Sequence, residues 1–134
     1  MFGPHNFSER PRKNNPMRVL LADNESKVRS ALRLFLEYEE GVSIIDEVAD
    51  GNELLTILHK VCPNLLLLDW ELPGAPMNEV LPYLRSLGKQ IKIIALSGLP
   101  EAEEEAIRAG VDAFISKGKS PQHFLACFHA LARL

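Results

Sequence analysis

Four short stretches of the chain gather side chains suited to a hard metal ion and a phosphoryl group. Asp23-Asn24-Glu25 follows the apolar run Val19-Leu20-Leu21-Ala22, and Asp69-Trp70-Glu71 follows Leu65-Leu66-Leu67-Leu68. Ser97 comes after the run that starts at Ile91, and Lys117 comes just after Ala113-Phe114-Ile115. Carboxylate oxygens are ligands that Mg2+ accepts, while an ammonium and a hydroxyl can each hold a phosphoryl oxygen. An aspartate is ionised at neutral pH, so it can attack phosphorus without a general base. Neither a GxxxxGK[ST] nor a GxGxxG loop occurs, so a nucleotide's phosphates would lack a backbone cradle and that reading loses. His5, His59, His123 and His129 lack HExxH spacing, and a lone His59/Cys62 pair is a weak metal signal; all four are read as structural or solvated.

These residues need a scaffold that sets the ends of four runs side by side. From Met17 onward, short β-branched or Leu-rich runs alternate with longer stretches that are apolar every three or four positions. The runs predict five strands, over 19–22, 42–45, 65–68, 91–96 and 113–115. The third is apolar throughout, as a central strand covered on both faces should be, while Ser43 in the second suits a place nearer an edge. Helices are expected over 25–38, 51–61, 78–87, 101–109 and 121–134. Val28, Leu32, Phe35 and Leu36 form one apolar stripe on the first, and Phe124, Leu125, Phe128 and Leu131 one on the last. Gly41, Pro63, Gly88 and Gly110 supply stop signals. Right-handed crossovers then give a single-domain, doubly wound (βα)5 α/β sandwich whose ligands gather at the carboxyl ends of a five-stranded parallel sheet. All four chemical stretches lie at that edge.

Over essentially all of residues 17–134 the arrangement resembles the receiver domain of two-component response regulators. The family's acidic pair corresponds to Asp23-Asn24, and its phosphoacceptor to Asp69 in Leu-Leu-Leu-Leu-Asp-Trp-Glu-Leu-Pro-Gly. Its switch hydroxyl corresponds to Ser97, its aromatic switch position to Phe114, and its lysine to Lys117. The resemblance implies the flavodoxin-like strand order 2-1-3-4-5 and transfer of a phosphoryl group from a histidine kinase or phosphotransfer protein onto Asp69. It implies Mg2+ as cofactor, held by Asp23, Asn24, Asp69 and the backbone carbonyl of Glu71. It also implies a switching surface on the fourth helix and fifth strand, and a signalling module that promotes only its own phosphorylation and dephosphorylation rather than an enzyme.

Two departures bear on that site. Asn24 stands where the family usually has a carboxylate, so the site has one formal negative charge fewer, and the Glu71 side chain is expected to lean over and restore it. Gly118 follows Lys117 where many members have proline, which leaves that peptide's geometry open. Glu25 is read first as a cap of the first helix, and Glu101, Glu103, Glu104 and Glu105 as an acidic first turn that complements a helix dipole. Trp70 is expected to point opposite Asp69 and to lie exposed. A second class of function stays open: an interaction module that keeps the fold without using phosphate, with Asn24 an early sign of loss. The presence of Asp69, Ser97 and Lys117 together favours the first.

Composition narrows the partners. The chain has 134 residues, 15 Lys plus Arg against 18 Asp plus Glu, and 46% hydrophobic positions. One domain with its own core is expected, and a net charge of -3 carries no sign of duplex DNA binding through this domain itself. Cys62 and Cys127 lack ligand spacing, which fits a reduced compartment. Apolar runs are too short for a membrane span or signal peptide, so a cytoplasmic protein is expected. Residues 1–16 hold three of the nine prolines and read as a flexible tail before a domain over 17–134. A homodimer, and a place as the N-terminal part of a transcriptional regulator, both remain open.

Overall fold

In a strand covered by helices on both faces, successive side chains enter opposite layers, and the order of the elements follows from that need. The computed structural model describes residues 16–88 and 90–132; the tail expected over 1–16 lies outside them except for Pro16. Strands β1 (Met17–Ala22), β2 (Val42–Val48), β3 (Leu65–Asp69), β4 (Lys92–Ser97) and β5 (Ala113–Ser116) alternate with helices. These are α1 (Ser26–Glu37), α2 (Gly51–Leu58), α3 (Met77–Ser86), α4 (Glu103–Ala109) and α5 (Pro121–Ala132). The strands are parallel and lie in the order β2-β1-β3-β4-β5.

Leu20, Leu66, Leu68, Ile93 and Ala95 enter one layer with Leu54 and Leu58 of α2, Leu81 and Leu84 of α3 and Ala106 of α4. Val19, Leu21, Leu65, Leu67, Ile94 and Leu96 enter the other, with Leu32 and Leu36 of α1 and Phe124 and Phe128 of α5. Every residue of β3 is buried, as its composition requires.

Local signals set the helix starts. Asp50 accepts from the Glu53 amide at 2.8 Å while the Glu53 carboxylate accepts from the Ala49 amide, a reciprocal cap that opens α2. Ser120 accepts from the His123 amide ahead of Pro121, the first residue of α5. β2 runs three residues beyond the expected 42–45: the register slips between Val19↔Ile44 and Leu20↔Asp46, and the strand continues through polar Asp46 and Glu47. An edge strand can carry charge on its open side, which hid the extension. The expected helix over 101–109 divides into a 3-10 turn at Pro100–Ala102 and α4 proper.

Candidate functional site

Strand register brings the acids together before any side chain is considered. Ala22 pairs with Leu68 across β1 and β3, so the next residues, Asp23 and Asp69, sit side by side at the carboxyl edge of the sheet. Lys117 follows β5, two strands from β3, and its amide donates to the Ser97 carbonyl at 2.7 Å. Its long stem carries the ammonium back to the acids: Nζ lies 3.0 Å from Asp23 Oδ2 and 3.5 Å from Asp69 Oδ1. Alternation assigns Asp23, Asp69 and Lys117 one parity and Ser97 and Phe114 the other. The charged cluster and the expected switch pair thus belong to opposite layers, and Phe114 packs, half-buried, against the layer that holds α4.

Asp23 is 1% exposed and Asp69 3%, burial that a carboxylate tolerates only with partners. Asp69 Oδ1 accepts from the Glu71 amide at 2.9 Å, while Oδ2 has only a long contact of 3.4 Å from the Asn24 amide. Asp23 Oδ1 accepts from the Glu25 amide at 2.8 Å. Asp23 Oδ2 has no aligned hydrogen-bond donor, only the Lys117 ion contact, and is the buried side-chain polar atom left without one among the described residues. Burial, the largest influence, and repulsion from Asp69 raise the Asp23 carboxyl above its ordinary value against the opposing pull of the Glu25 amide and the Lys117 ammonium. Burial works against the Lys117 ammonium too, but Asp23, Asp69 and Glu25 outweigh it and hold the group above its ordinary value.

Three carboxylates therefore share one ammonium, because Glu25 joins as well: its Oε1 lies 3.1 Å from Lys117 Nζ. This corrects the capping assignment. Glu25 occupies the N-cap position of α1 but makes no side-chain cap bond, having spent its carboxylate on the lysine. The surplus negative charge and the orphaned Asp23 oxygen fit a divalent cation held by oxygen ligands. The described residues hold no group of three or more His, Cys, Asp or Glu side chains placed for a metal, in keeping with an amide at Asn24, whose side chain is exposed.

Trp70 also departs from expectation. It is 7% exposed, not open to solvent, and its indole Nε1 donates to Glu105 Oε1 of α4 at 3.0 Å. Pointing away from Asp69 means entering the opposite layer, since helices cover both faces of this sheet. Glu105 is correspondingly more than a dipole residue. Glu71 does lean over the edge, but its carboxylate goes to the Ser97 hydroxyl at 2.7 Å. Periodicity gave no signal for either contact, because both join residues from different elements.

Gly74 fixes the loop after β3. Its φ of +100° suits glycine, and a Cβ there would come within 3.1 Å of the Gly51 nitrogen at the start of α2. All described peptide bonds, that between Lys117 and Gly118 included, are trans. Beyond Lys117, a cleft of about 330 Å³ between α1 and α5 is lined by apolar Val28, Leu32, Phe35 and Phe124 and is separate from the acids. His59 meets the Tyr83 hydroxyl, His123 the Cys127 sulfur and His129 Glu39, so these three do not converge; His5 lies outside the described residues.

A doubly wound five-stranded parallel sheet with paired acids and a lysine at its carboxyl edge defines a class of signalling domain. The response regulator receiver domain model matches residues 19–129, and the chain belongs to that family. It is 26% identical over 119 residues to the nitrate/nitrite response regulator NarL of Escherichia coli, covering 87% of this chain and 55% of the relative. It is 31% identical over 102 residues to the transcription regulator BvgA of Bordetella pertussis, covering 75% and 48%. The chain thus spans about half the length of these curated relatives. The isolated receiver domain of RcsB from Salmonella enterica serovar Typhimurium, in the presence of the phosphomimetic BeF3-, superposes with a TM-score of 0.79 over 87% of this chain and 88% of that one. At 24% identity that likeness is one of fold. No described helix is long and apolar enough to cross a membrane.

Proposed function

We propose that this domain is a phosphorylation switch that takes a phosphoryl group from a histidine kinase or phosphotransfer protein onto Asp69. The observation that carries this reading is the burial of Asp23 and Asp69 against a single ammonium, with one Asp23 oxygen met only by that ion contact. In the transfer, an Asp69 carboxylate oxygen forms a bond to phosphorus as the donor's bond breaks and the leaving group keeps the electron pair. Negative charge spreads over the equatorial oxygens, where Lys117 can neutralise part of it. Asp23, Asp69, the Asn24 side chain and the Glu71 carbonyl are the groups that would hold Mg2+, which would supply the remaining positive charge. Ser97 would then bind a phosphoryl oxygen, and Phe114 would respond at the α4/β5 surface. The whole protein would act in the cytoplasm as a transcriptional regulator, with DNA bound by a separate domain and dimerisation through the switched domain.

Mass spectrometry after incubation with acetyl phosphate and Mg2+ tests the assignment. One phosphoryl group should be added, and Asp69→Asn should abolish it. Labelling that persists in Asp69→Asn would move the acceptor elsewhere, and an unlabelled starting protein would favour an interaction module that does not use phosphate.

A further inference from the structure

Ser97 has one hydrogen to give, and Glu71 takes it. The hydroxyl lies 2.7 Å from Glu71 Oε2 and 3.3 Å from the Leu99 carbonyl, and it accepts from the Leu99 amide at 2.9 Å. Ser97 is fully buried, whereas Glu71 is exposed and reaches in over it. The Glu71 amide meanwhile donates to Asp69 Oδ1. One residue thus touches the acceptor aspartate through its backbone and the end of β4 through its side chain. Among the described residues no lysine or arginine pairs with the Glu71 carboxylate.

We propose that Glu71 is a resting-state latch, a positioning residue whose carboxylate keeps the Ser97 hydroxyl engaged until a phosphoryl group on Asp69 displaces it. This rests on the reading of Asp69 as phosphoacceptor and Ser97 as a phosphoryl-binding hydroxyl. A serine hydroxyl has a single donatable hydrogen, so Ser97 cannot donate to Glu71 and to a phosphoryl oxygen at once. The two acceptors are both anions. A phosphoryl group brings about two negative charges at neutral pH and repels the carboxylate it replaces. Glu71 is free to swing into water, with little packing to lose. Ser97 then carries the Leu99 amide with it, and Leu99 leads directly into the turn before α4. Charge arriving at Asp69 is thereby converted into displacement at the start of α4, and exchanging the Glu71 bond sets the threshold for it.

The test compares Glu71→Ala, Glu71→Gln, Ser97→Ala and the Glu71→Ala/Ser97→Ala double variant in the full chain. Without phosphodonor, hydrogen exchange at the Leu99 amide should quicken about fivefold in Glu71→Ala, the scale of one net hydrogen bond, and stay near the starting rate in Glu71→Gln, whose amide oxygen still accepts. With acetyl phosphate and saturating Mg2+, labelling should also quicken about fivefold in Glu71→Ala, but not when Ser97→Ala is already present. A gain of equal size in the Ser97→Ala background overturns the latch, because Glu71 would then act through its charge alone. Labelled protein with unchanged Leu99 exchange overturns the latch while leaving the acceptor assignment intact. An unlabelled starting protein overturns that assignment, and the gating built on it, whatever the exchange rates show.

Discussion

Asp23 is the residue at which function and stability pull apart. Its carboxyl is raised above the ordinary value of 3.8, first by burial. A carboxyl raised in the folded chain holds its proton more tightly there than when unfolded, so it stabilises the fold while protonated and loses that contribution as pH rises through the raised value. Without divalent cation, folding free energy should therefore decline from this group as pH climbs above 3.8. Asp23→Asn should flatten the decline and leave the protein more stable at neutral pH by about 1 kcal/mol, since a buried carboxylate short of partners is removed. Lys117 has the other sign of charge: raised above 10.5, it stabilises below that pH and loses the contribution as it deprotonates above it. Chemical denaturation between pH 4 and 11 reads both. A stability curve of the same shape in Asp23→Asn would show that Asp23 is adequately neutralised by Lys117.

In the proposed switch the element that carries the signal is α4, and Trp70 ties it to the strand that carries Asp69. The indole donates to Glu105 and its ring lies among buried residues of the α2–α4 layer. Trp70 is the only tryptophan, so its emission reports the placement of α4. Glu105→Ala should cost about 1 kcal/mol, by leaving a buried indole N–H unpaired, and should speed amide exchange in α4 before that in β3. Unchanged exchange in α4 would mean that apolar packing alone fixes the helix. The same contact shows what sequence could and could not provide. Five strands, five helices and the residues at the strand ends were legible because period and turn residues are local properties of the chain. The Trp70 to Glu105, Lys117 to Glu25 and Glu71 to Ser97 contacts were not, because each joins residues 26 to 92 positions apart that only the folded sheet brings together. Where Trp70 would go did follow from alternation; treating its face as solvent overlooked that α4 covers it.

For the molecule as a whole, the acids of β1 and β3 meet only when the sheet has formed, so a divalent cation held between them would bind the folded chain and stabilise it. At a hundred times its Kd, Mg2+ should add about 2.7 kcal/mol, which for a chain of this size raises Tm by roughly 10 °C. Asn24 is expected to set the strength of that coupling. Its amide donates to Asp69 while its side chain is exposed, leaving room for a carboxylate without repacking. In Asn24→Asp the added charge should lower Tm in the absence of metal, because a further acid faces three that already share one lysine, and should enlarge the Mg2+-dependent rise. The two shifts have opposite signs, so a general change in stability cannot mimic them. Asp23→Asn should do the reverse, raising Tm without metal and shrinking the Mg2+ increment. Thermal melts across a Mg2+ titration, with the three proteins in parallel, measure every one of these quantities. An identical increment in the starting protein and Asn24→Asp would show that residue 24 contributes nothing to the cation beyond what its amide already gives.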